Sequence, residues 1–196
     1  MRAAKGFTLI ELLTVIAIIG ILMTIIMVSL GSAKSKSRDS RRIADIKNIQ
    51  LALSLYYNDN GMFPKDIYST SGAAPLNGLS PTYLPSVPID PLGTSYACGG
   101  ENPSTGHYCY RAYSSLGNPA CNGGTNPPVK YHVGAILEES TNGALTSDAN
   151  APAAGSGSMT GFTACSTGTT PDFNGKTTDC TTSADATSPK CYDQTP

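Results

Sequence analysis

The first part of the chain is an almost unbroken apolar run. Residues 7–30 read FTLIELLTVIAIIGILMTIIMVSL, which is 24 residues, and a helix needs about 20 residues to span a bilayer. A secretory signal peptide has a shorter apolar core with a small-residue cleavage site after it. Here the small residue, Gly6, precedes the run. The pattern predicts a transmembrane helix over 7–30 that stays in the mature protein.

After this run the spacing of apolar residues indicates an amphipathic helix over 31–60. Apolar side chains recur at steps of three or four residues, at Ile43, Ile46, Ile49, Leu53 and Tyr57. The cluster Asn58-Asp59-Asn60-Gly61, followed by Pro64, is a stop signal for a helix. Because the apolar stripe is one-sided, it requires a domain that covers it.

Charged residues occupy much of the remaining surface of this helix. We consider two interpretations, a solvated face and a set of ion pairs between subunits. The residues concerned are Arg38, Asp39, Arg41, Arg42, Asp45 and Lys47.

Short runs of alternating residues predict three strands, over 95–98, 107–115 and 130–138. The segment 83–91 contains Pro85, Pro88 and Pro91 and is therefore extended but not a central strand. An antiparallel sheet packed on the amphipathic helix buries both apolar faces. The predicted fold is α+β: a long N-terminal helix on a small antiparallel sheet, with loop and sheet over 61–139.

Composition separates the last segment from the rest. Residues 140–196 are rich in Ser, Thr, Gly, Ala, Asp and Pro, with few apolar residues, a composition typical of disorder. The cysteines change this into the expectation of a disulfide-stapled surface loop.

The net charge of the whole chain is −1, so nothing indicates nucleic acid as a partner.

The cysteine pattern favours disulfides. There are six cysteines and only two histidines, and no C-x-x-C pair that zinc would prefer. Three bridges allow fifteen pairings, and the sequence does not select one. We expect disulfides in an oxidising compartment among Cys98, Cys109, Cys121, Cys165, Cys180 and Cys191.

The constellations that carry catalysis are missing from the sequence. His107 and Cys109 lack an orienting third group, and Glu138 and Glu139 would point to opposite faces of a strand. There is no P-loop, G-x-S-x-G or H-E-x-x-H motif. We therefore expect a protein that is not an enzyme and has no cofactor.

Glu11 interrupts the apolar run about one turn from its start. An ionised carboxylate there costs several kcal/mol unless it is paired or neutralised. One interpretation is that Glu11 reaches the headgroups. The other is that cleavage after Gly6 creates an amine on Phe7 and that this amine, from the same or a neighbouring subunit, pairs with Glu11.

The segment Lys5-Gly6-Phe7-Thr8-Leu9-Ile10-Glu11 closely resembles the processing site of type IV pilin-like proteins. That family includes type IV pilins, the pseudopilins of type II secretion and competence pilins. The resemblance implies a leader over 1–6, cleavage between Gly6 and Phe7 by a prepilin peptidase, methylation of Phe7, and an assembly role for Phe7 and Glu11. It also implies an inner-membrane assembly platform, lipid contact and self-association into a helical filament.

The central region resembles the major pseudopilin of type II secretion, in Arg41-Arg42, Asp59-Asn60-Gly61 and Pro88-Ile89-Asp90-Pro91. In that family a C-terminal loop commonly holds calcium. The nearest oxygen donors here are Asp172, Asn174 and Asp179, but Lys176 lies among them and no bidentate Glu follows. A polar turn closed by a disulfide is the favoured interpretation, and a calcium site is the alternative.

Two departures from the family pattern matter. Many members have Pro at the twenty-second mature position, where this chain has Val28. Lys34, Lys36, Arg38, Arg41 and Arg42 outnumber Arg2 and Lys5, which by the positive-inside rule would place the large domain in the cytoplasm. The leader motif and the cysteines favour an extracytoplasmic domain and a mature form in an extracellular or periplasmic filament.

The resulting hypothesis is a prepilin of a type IV pilus-like filament. One alternative is a major pseudopilin that drives type II secretion, and the other is a membrane-anchored surface binding protein that does not polymerise.

Overall fold

The computed structural model describes residues 6–70, 78–93, 106–115, 121, 125–149, 161–165, 174–175, 180 and 190–196. The chain divides into two compact units, Met1–Ser37 and Arg38–Pro196. Helix α1, Leu9–Asn60, contributes residues to both units. The predicted long helix is therefore confirmed.

The C-terminal end of α1 has the geometry expected from its sequence. Gly61 has a φ of 69°, and its N–H donates to the carbonyl of Tyr57 at 2.8 Å. This is the left-handed cap that glycine adopts without steric cost. The side chain of Asn60 also donates to the carbonyl of Tyr56 at 2.9 Å, which satisfies a further carbonyl of the last turn.

The unit Arg38–Pro196 contains a four-stranded antiparallel sheet in the order β3-β1-β2-β4. Its strands are β1 Cys109–Ser114, β2 Lys130–Ile136, β3 Thr163–Ala164 and β4 Cys191–Gln194. A short 3-10 helix covers Gly143–Thr146. The α+β class and two predicted strands are confirmed, whereas the strand predicted over 95–98 lies outside the described residues.

The side chains of one sheet face join the core formed with α1. Tyr110, Tyr131 and Val133 are buried together with Ile46 and Leu53 of the helix. At the rim of this face, Gln50 of α1 approaches Gln194 of β4 at 3.5 Å. The predicted stripe is thus covered at Ile46, Ile49 and Leu53, whereas Tyr57 is 42% exposed and its neighbour Tyr56 takes the buried position.

The C-terminal segment corrects the expectation of a stapled surface loop. Residues 191–194 form β4, and Cys191, Tyr192 and Asp193 are buried within the sheet. Residues 163 and 164 form β3 at the other edge. Composition hid these strands because each is short and lies among Ser, Thr and Gly.

Candidate assembly surfaces and the ion cluster behind them

Helix α1 begins with a reciprocal cap made by Thr8 and Glu11. The Thr8 N–H donates to Glu11 Oε2 at 2.9 Å, and the Thr8 hydroxyl donates to the same oxygen at 2.7 Å. In return the Glu11 N–H donates to Thr8 Oγ1 at 3.4 Å. This is a capping box, in which two groups at a helix start satisfy each other.

The cap shows how a carboxylate is held at the start of an apolar helix. Sequence reasoning predicted a partner for Glu11 but did not identify Thr8, although the T-x-x-E spacing of a capping box was visible. Phe7 is 79% exposed, and Gly6 is exposed beside it. Cleavage after Gly6 and the assembly roles of Phe7 and Glu11 remain predictions.

The apolar surface of the unit Met1–Ser37 is exposed all round the helix. From residue 7 to 27 every side chain is exposed, including Ile10, Ile16, Ile21 and Ile25 at 60–70%. Judged by length and composition, helix α1 is long and apolar enough to cross a membrane. None of its most apolar stretch is buried within the protein. A helix that is apolar on all sides requires lipid or other helices around it.

The unit Arg38–Pro196 contains a buried ion cluster centred on Arg42. Its guanidinium donates to Asp90 through Nε at 2.6 Å and Nη2 at 3.3 Å. Nη1 donates to Asp39 and to Glu138, both at 2.8 Å. Arg42 is only 2% exposed and Asp39 is fully buried. The cluster joins α1, the turn at Asp90 and the end of β2.

Asp39 also organises the chain after β2. Its two carboxylate oxygens accept the backbone N–H groups of Glu138 and Glu139, at 2.9 and 3.0 Å. Both glutamates follow β2, which ends at Ile136 rather than at residue 138, so they do not alternate along a strand as the sequence pattern predicts. Asp39 of α1 therefore fixes the position of the segment that follows β2.

Arg38 adds a second, more exposed pair to the cluster. Its Nε and Nη2 donate to the two oxygens of Glu138 at 2.7 and 2.5 Å. These hydrogen bonds from Arg38, with a further contribution from Arg42, lower the pKa of Glu138 to about 2 from 4.5. Glu138 therefore remains ionised well into the acid range.

These contacts correct both interpretations of the charged helix surface for Arg38, Asp39 and Arg42. Arg42 and Asp39 are buried within one subunit, neither solvated nor paired across subunits. Arg41 and Lys47 behave as expected for solvated residues: both are exposed, and Arg41 makes only a loose 3.8 Å contact to Asp45 with 64% of its side chain exposed. The sequence signal for burial of Arg42 is its position on the helix side that carries Ile46 and Ile49.

The remaining acid of this helix surface, Asp45, is also engaged. It accepts a hydrogen bond from the hydroxyl of Tyr108 at 2.7 Å. Burial and, next, the neighbouring Asp45 raise the pKa of Tyr108 well above its ordinary value. Tyr108 thus stays a neutral donor at any physiological pH.

The sheet face turned away from α1 holds a second polar group. His132 Nε2 lies 2.5 Å from Asp193 Oδ2, and both side chains are fully buried. A side chain at Gly175 would overlap the Asp193 carboxylate, so the 174–175 segment lies directly on this pair. Sequence reasoning missed His132 and Asp193 because β4 was not predicted.

Two disulfides link cysteines of the C-terminal half of the chain. Cys121 pairs with Cys165 across 44 residues, and Cys180 pairs with Cys191 across 11. Cys109 is disulfide-bonded as well, whereas Cys98 lies outside the described residues. The expectation of disulfides is confirmed for these five cysteines.

The calcium alternative rests mainly on residues outside the described part. Asp172 and Asp179 are not among the described residues, and Asn174 is buried with its N–H donating to the carbonyl of Cys180 at 3.3 Å. Within the described residues no cluster of three His, Cys, Asp or Glu side chains is suited to a metal. Calcium binding therefore stays an untested alternative.

Comparison with known proteins places these features in context. Residues 1–27 match the family described as the prokaryotic N-terminal methylation motif. Type II secretion system core protein G of Vibrio cholerae serotype O1 is 30% identical over 103 residues, covering 49% of this chain and 70% of that protein. The core protein G of Pseudomonas aeruginosa is 32% identical over 103 residues, covering 48% and 72%.

A relative of a second kind is similarly close. Fimbrial protein EcpC of Eikenella corrodens is 38% identical over 105 residues, covering 54% of this chain and 67% of that protein. No solved structure gives a significant match. The similarity thus extends to proteins named for a secretion system and to one named for a fimbria.

Proposed function

This chain belongs to the type IV pilin-like proteins, and we propose that it is a prepilin that is cleaved after Gly6 and polymerises through α1. Its role is structural rather than catalytic. The product is a pilus-like filament in which the unit Arg38–Pro196 forms the outer wall.

The exposed apolar surface over residues 7–27 carries this proposal. In the precursor a bilayer covers this surface, and about 20 apolar residues are enough to span it. In a filament the equivalent segments of other copies cover it instead. A repeated contact between unlike surfaces of identical subunits does not close on itself and generates a helical filament.

Glu11 sets the axial position of one subunit relative to its neighbour in this assembly. In the single subunit its carboxylate accepts two hydrogen bonds from Thr8, which lowers the cost of placing it in lipid. Cleavage after Gly6 adds a positively charged amine on Phe7, and a bond from a charged donor is about twice as strong as a neutral one. The amine of a neighbouring copy therefore favours one axial position over others.

The partners follow from this scheme. A prepilin peptidase cleaves between Gly6 and Phe7 and methylates Phe7, lipid surrounds the precursor helix, and an inner-membrane platform adds subunits. The disulfides Cys121–Cys165 and Cys180–Cys191 support an extracytoplasmic position for the folded unit, because such bonds persist in oxidising compartments.

The pseudopilus of type II secretion is the second candidate. Two relatives described above are named core protein G of that system, which favours a short filament that acts in export. EcpC is named a fimbrial protein, which favours a surface filament. Filaments recovered from the outer surface of unmodified cells would favour the surface pilus over the secretion pseudopilus.

Intact mass and N-terminal sequencing of sheared extracellular material test the proposal. The expected species begins at N-methylated Phe7 and is lighter than its reduced form by one hydrogen for each of the six cysteines. A species beginning at Met1 and confined to membranes would contradict it. The non-polymerising anchored binding protein would then become the better explanation.

A further inference from the structure

Two small apolar patches remain exposed on the unit Arg38–Pro196. The helix patch consists of Leu51 and Leu55 of α1, which are 63% and 48% exposed. The turn patch consists of Ile89 and Leu92, which are 49% and 55% exposed. Isolated apolar side chains on a surface are ordinary, whereas these occur as pairs on two ordered elements.

The helix patch lies on the side of α1 that faces away from the sheet. Ile49 and Leu53 are fully buried against the sheet. Leu51 is two residues from each of them, which is about 200° around a helix of 3.6 residues per turn. Leu55 follows Leu51 by one turn. No element of the described part of the same unit covers this pair.

The turn patch is held rigidly by hydrogen bonds centred on Asp90. The Asp90 N–H donates to the carbonyl of Gly106 at 2.7 Å, and the Gly93 N–H donates to the Asp90 carbonyl at 3.0 Å. The Leu92 N–H donates to Asp90 Oδ1 at 2.8 Å. Arg42 fixes the same carboxylate from α1. A preorganised apolar turn loses little conformational entropy when it binds.

The two patches differ in height along α1. The pairing of Asp90 with Arg42 places the turn near position 42, on the sheet side of the helix. The helix patch begins nine residues later and ends thirteen residues later, which is about 14–20 Å along the axis at 1.5 Å per residue. Being on opposite sides and at different heights, the patches do not meet within one subunit.

We infer that the turn patch of one copy docks on the helix patch of a neighbouring copy. This rests on the proposed filament and names the contact between the folded units within it. The contact joins unlike surfaces and is displaced along the helix axis, so its repetition gives an open helical array. The buried Arg42–Asp90 pair is the positioning device that presents Ile89 and Leu92.

The small size of the patches favours a second copy over a separate soluble partner. Four half-exposed side chains fall far short of the roughly 1,200 Å² buried in stable independent interfaces. Copies already held by their apolar helices meet at a high effective concentration, where a weak contact is populated. The docking is therefore stable only within the polymer.

Thiol crosslinking in sheared filaments tests this contact. The full-length pair Leu55→Cys with Leu92→Cys, treated with a short bismaleimide, should give a ladder of covalent multimers. The pair Ser147→Cys with Leu92→Cys is the control, because Ser147 is exposed elsewhere on the same unit. Filaments that give no ladder, or equal ladders for both pairs, would overturn the inference while leaving the filament itself intact.

A charge-swap experiment supplies a second readout. Leu55→Asp should reduce filament yield at least about tenfold, and adding Leu92→Lys should restore most of it, because opposite charges across an interface specify partners. Ser147→Asp should leave the yield unchanged. Failure of the second substitution to restore assembly, with both variants folded by circular dichroism, would contradict the docking. Absence of filaments even from the unmodified chain would instead remove the proposed function on which it rests.

Discussion

The two units of this chain use the same helix in opposite ways. In Met1–Ser37 the described side chains from residue 7 to 27 are all exposed, although most of them are apolar. In Arg38–Pro196 the same helix buries Ile46, Ile49 and Leu53 completely. The first unit therefore depends on lipid or on other copies, while the second is covered by its own sheet.

The treatment of charge differs in the same way. The single acid in the first part of α1, Glu11, is exposed and held by Thr8. The charges at the start of the second unit are buried, because Arg42 has Asp39, Asp90 and Glu138 around it. Substitutions at the exposed residues of the first unit should thus affect assembly, and substitutions at the buried charges of the second should affect folding.

The largest effect on folding should come from Arg42→Met. Removal of one partner from a buried ion group leaves uncompensated charge and costs about 3–5 kcal/mol. We expect this loss in the free energy of unfolding of the full chain in detergent, measured by denaturant titration.

Arg41→Met is the matched control, since Arg41 is adjacent and largely exposed. It should change the free energy of unfolding by no more than about 0.5 kcal/mol. Equal losses for the two arginine variants would show that the Arg42 cluster does not stabilise the folded unit.

Removal of a disulfide should have the next-largest effect on folding. The stability lost should be greater for the bond that closes the longer loop. In the chain-entropy account, a bond across 44 residues contributes about 4 kcal/mol and one across 11 residues about 3 kcal/mol. Cys121→Ala with Cys165→Ala should therefore lower stability more than Cys180→Ala with Cys191→Ala. The reverse order in denaturant titration would indicate that native contacts of β4, rather than loop closure, dominate.

A smaller effect should appear on acidification. The folded-state pKa of Glu138 is about 2, below its ordinary 4.5, so its contribution to stability is complete above pH 4.5 and is lost as the pH falls towards 2. Glu138→Gln should reduce stability at neutral pH by about 1.5–3 kcal/mol, the range for hydrogen bonds to charged groups.

The Glu138→Gln variant also isolates this source of pH dependence. Unfolding titrations between pH 5 and pH 2, run on both proteins, should show a shallower decline for the variant, since the group that titrates is gone. Parallel curves would assign the acid sensitivity to other carboxylates.

Much of the fold could be predicted from the sequence because its signals are local. The apolar run and the spacing of Ile43, Ile46 and Ile49 indicate one long helix, and Gly61 marks its end. Strand β2 carries Tyr131 and Val133 in alternation, and β1 contains Tyr110 and Tyr113. By contrast β4 has four residues with one aromatic side chain, and its place in the sheet depends on pairing with β2, which local sequence does not encode.

The buried ion cluster illustrates the same limit. Asp39 and Arg42 are three residues apart, so their proximity is local, but Asp90 and Glu138 are separated from Arg42 by 48 and 96 residues. Only the folded chain brings them together. A run of charges on a helix predicts solvent exposure. The tertiary fold instead buries Asp39 and Arg42.

The most direct test of the account is Glu11→Leu, assayed for both filament yield and folding. An apolar side chain at this position keeps the segment suited to lipid, so the precursor should insert normally. The unfolding free energy of the folded unit should stay within about 0.5 kcal/mol of the parent value, while filaments disappear from the sheared fraction examined by electron microscopy. Filaments at the parent yield would contradict the assignment of assembly to the first unit and its Glu11.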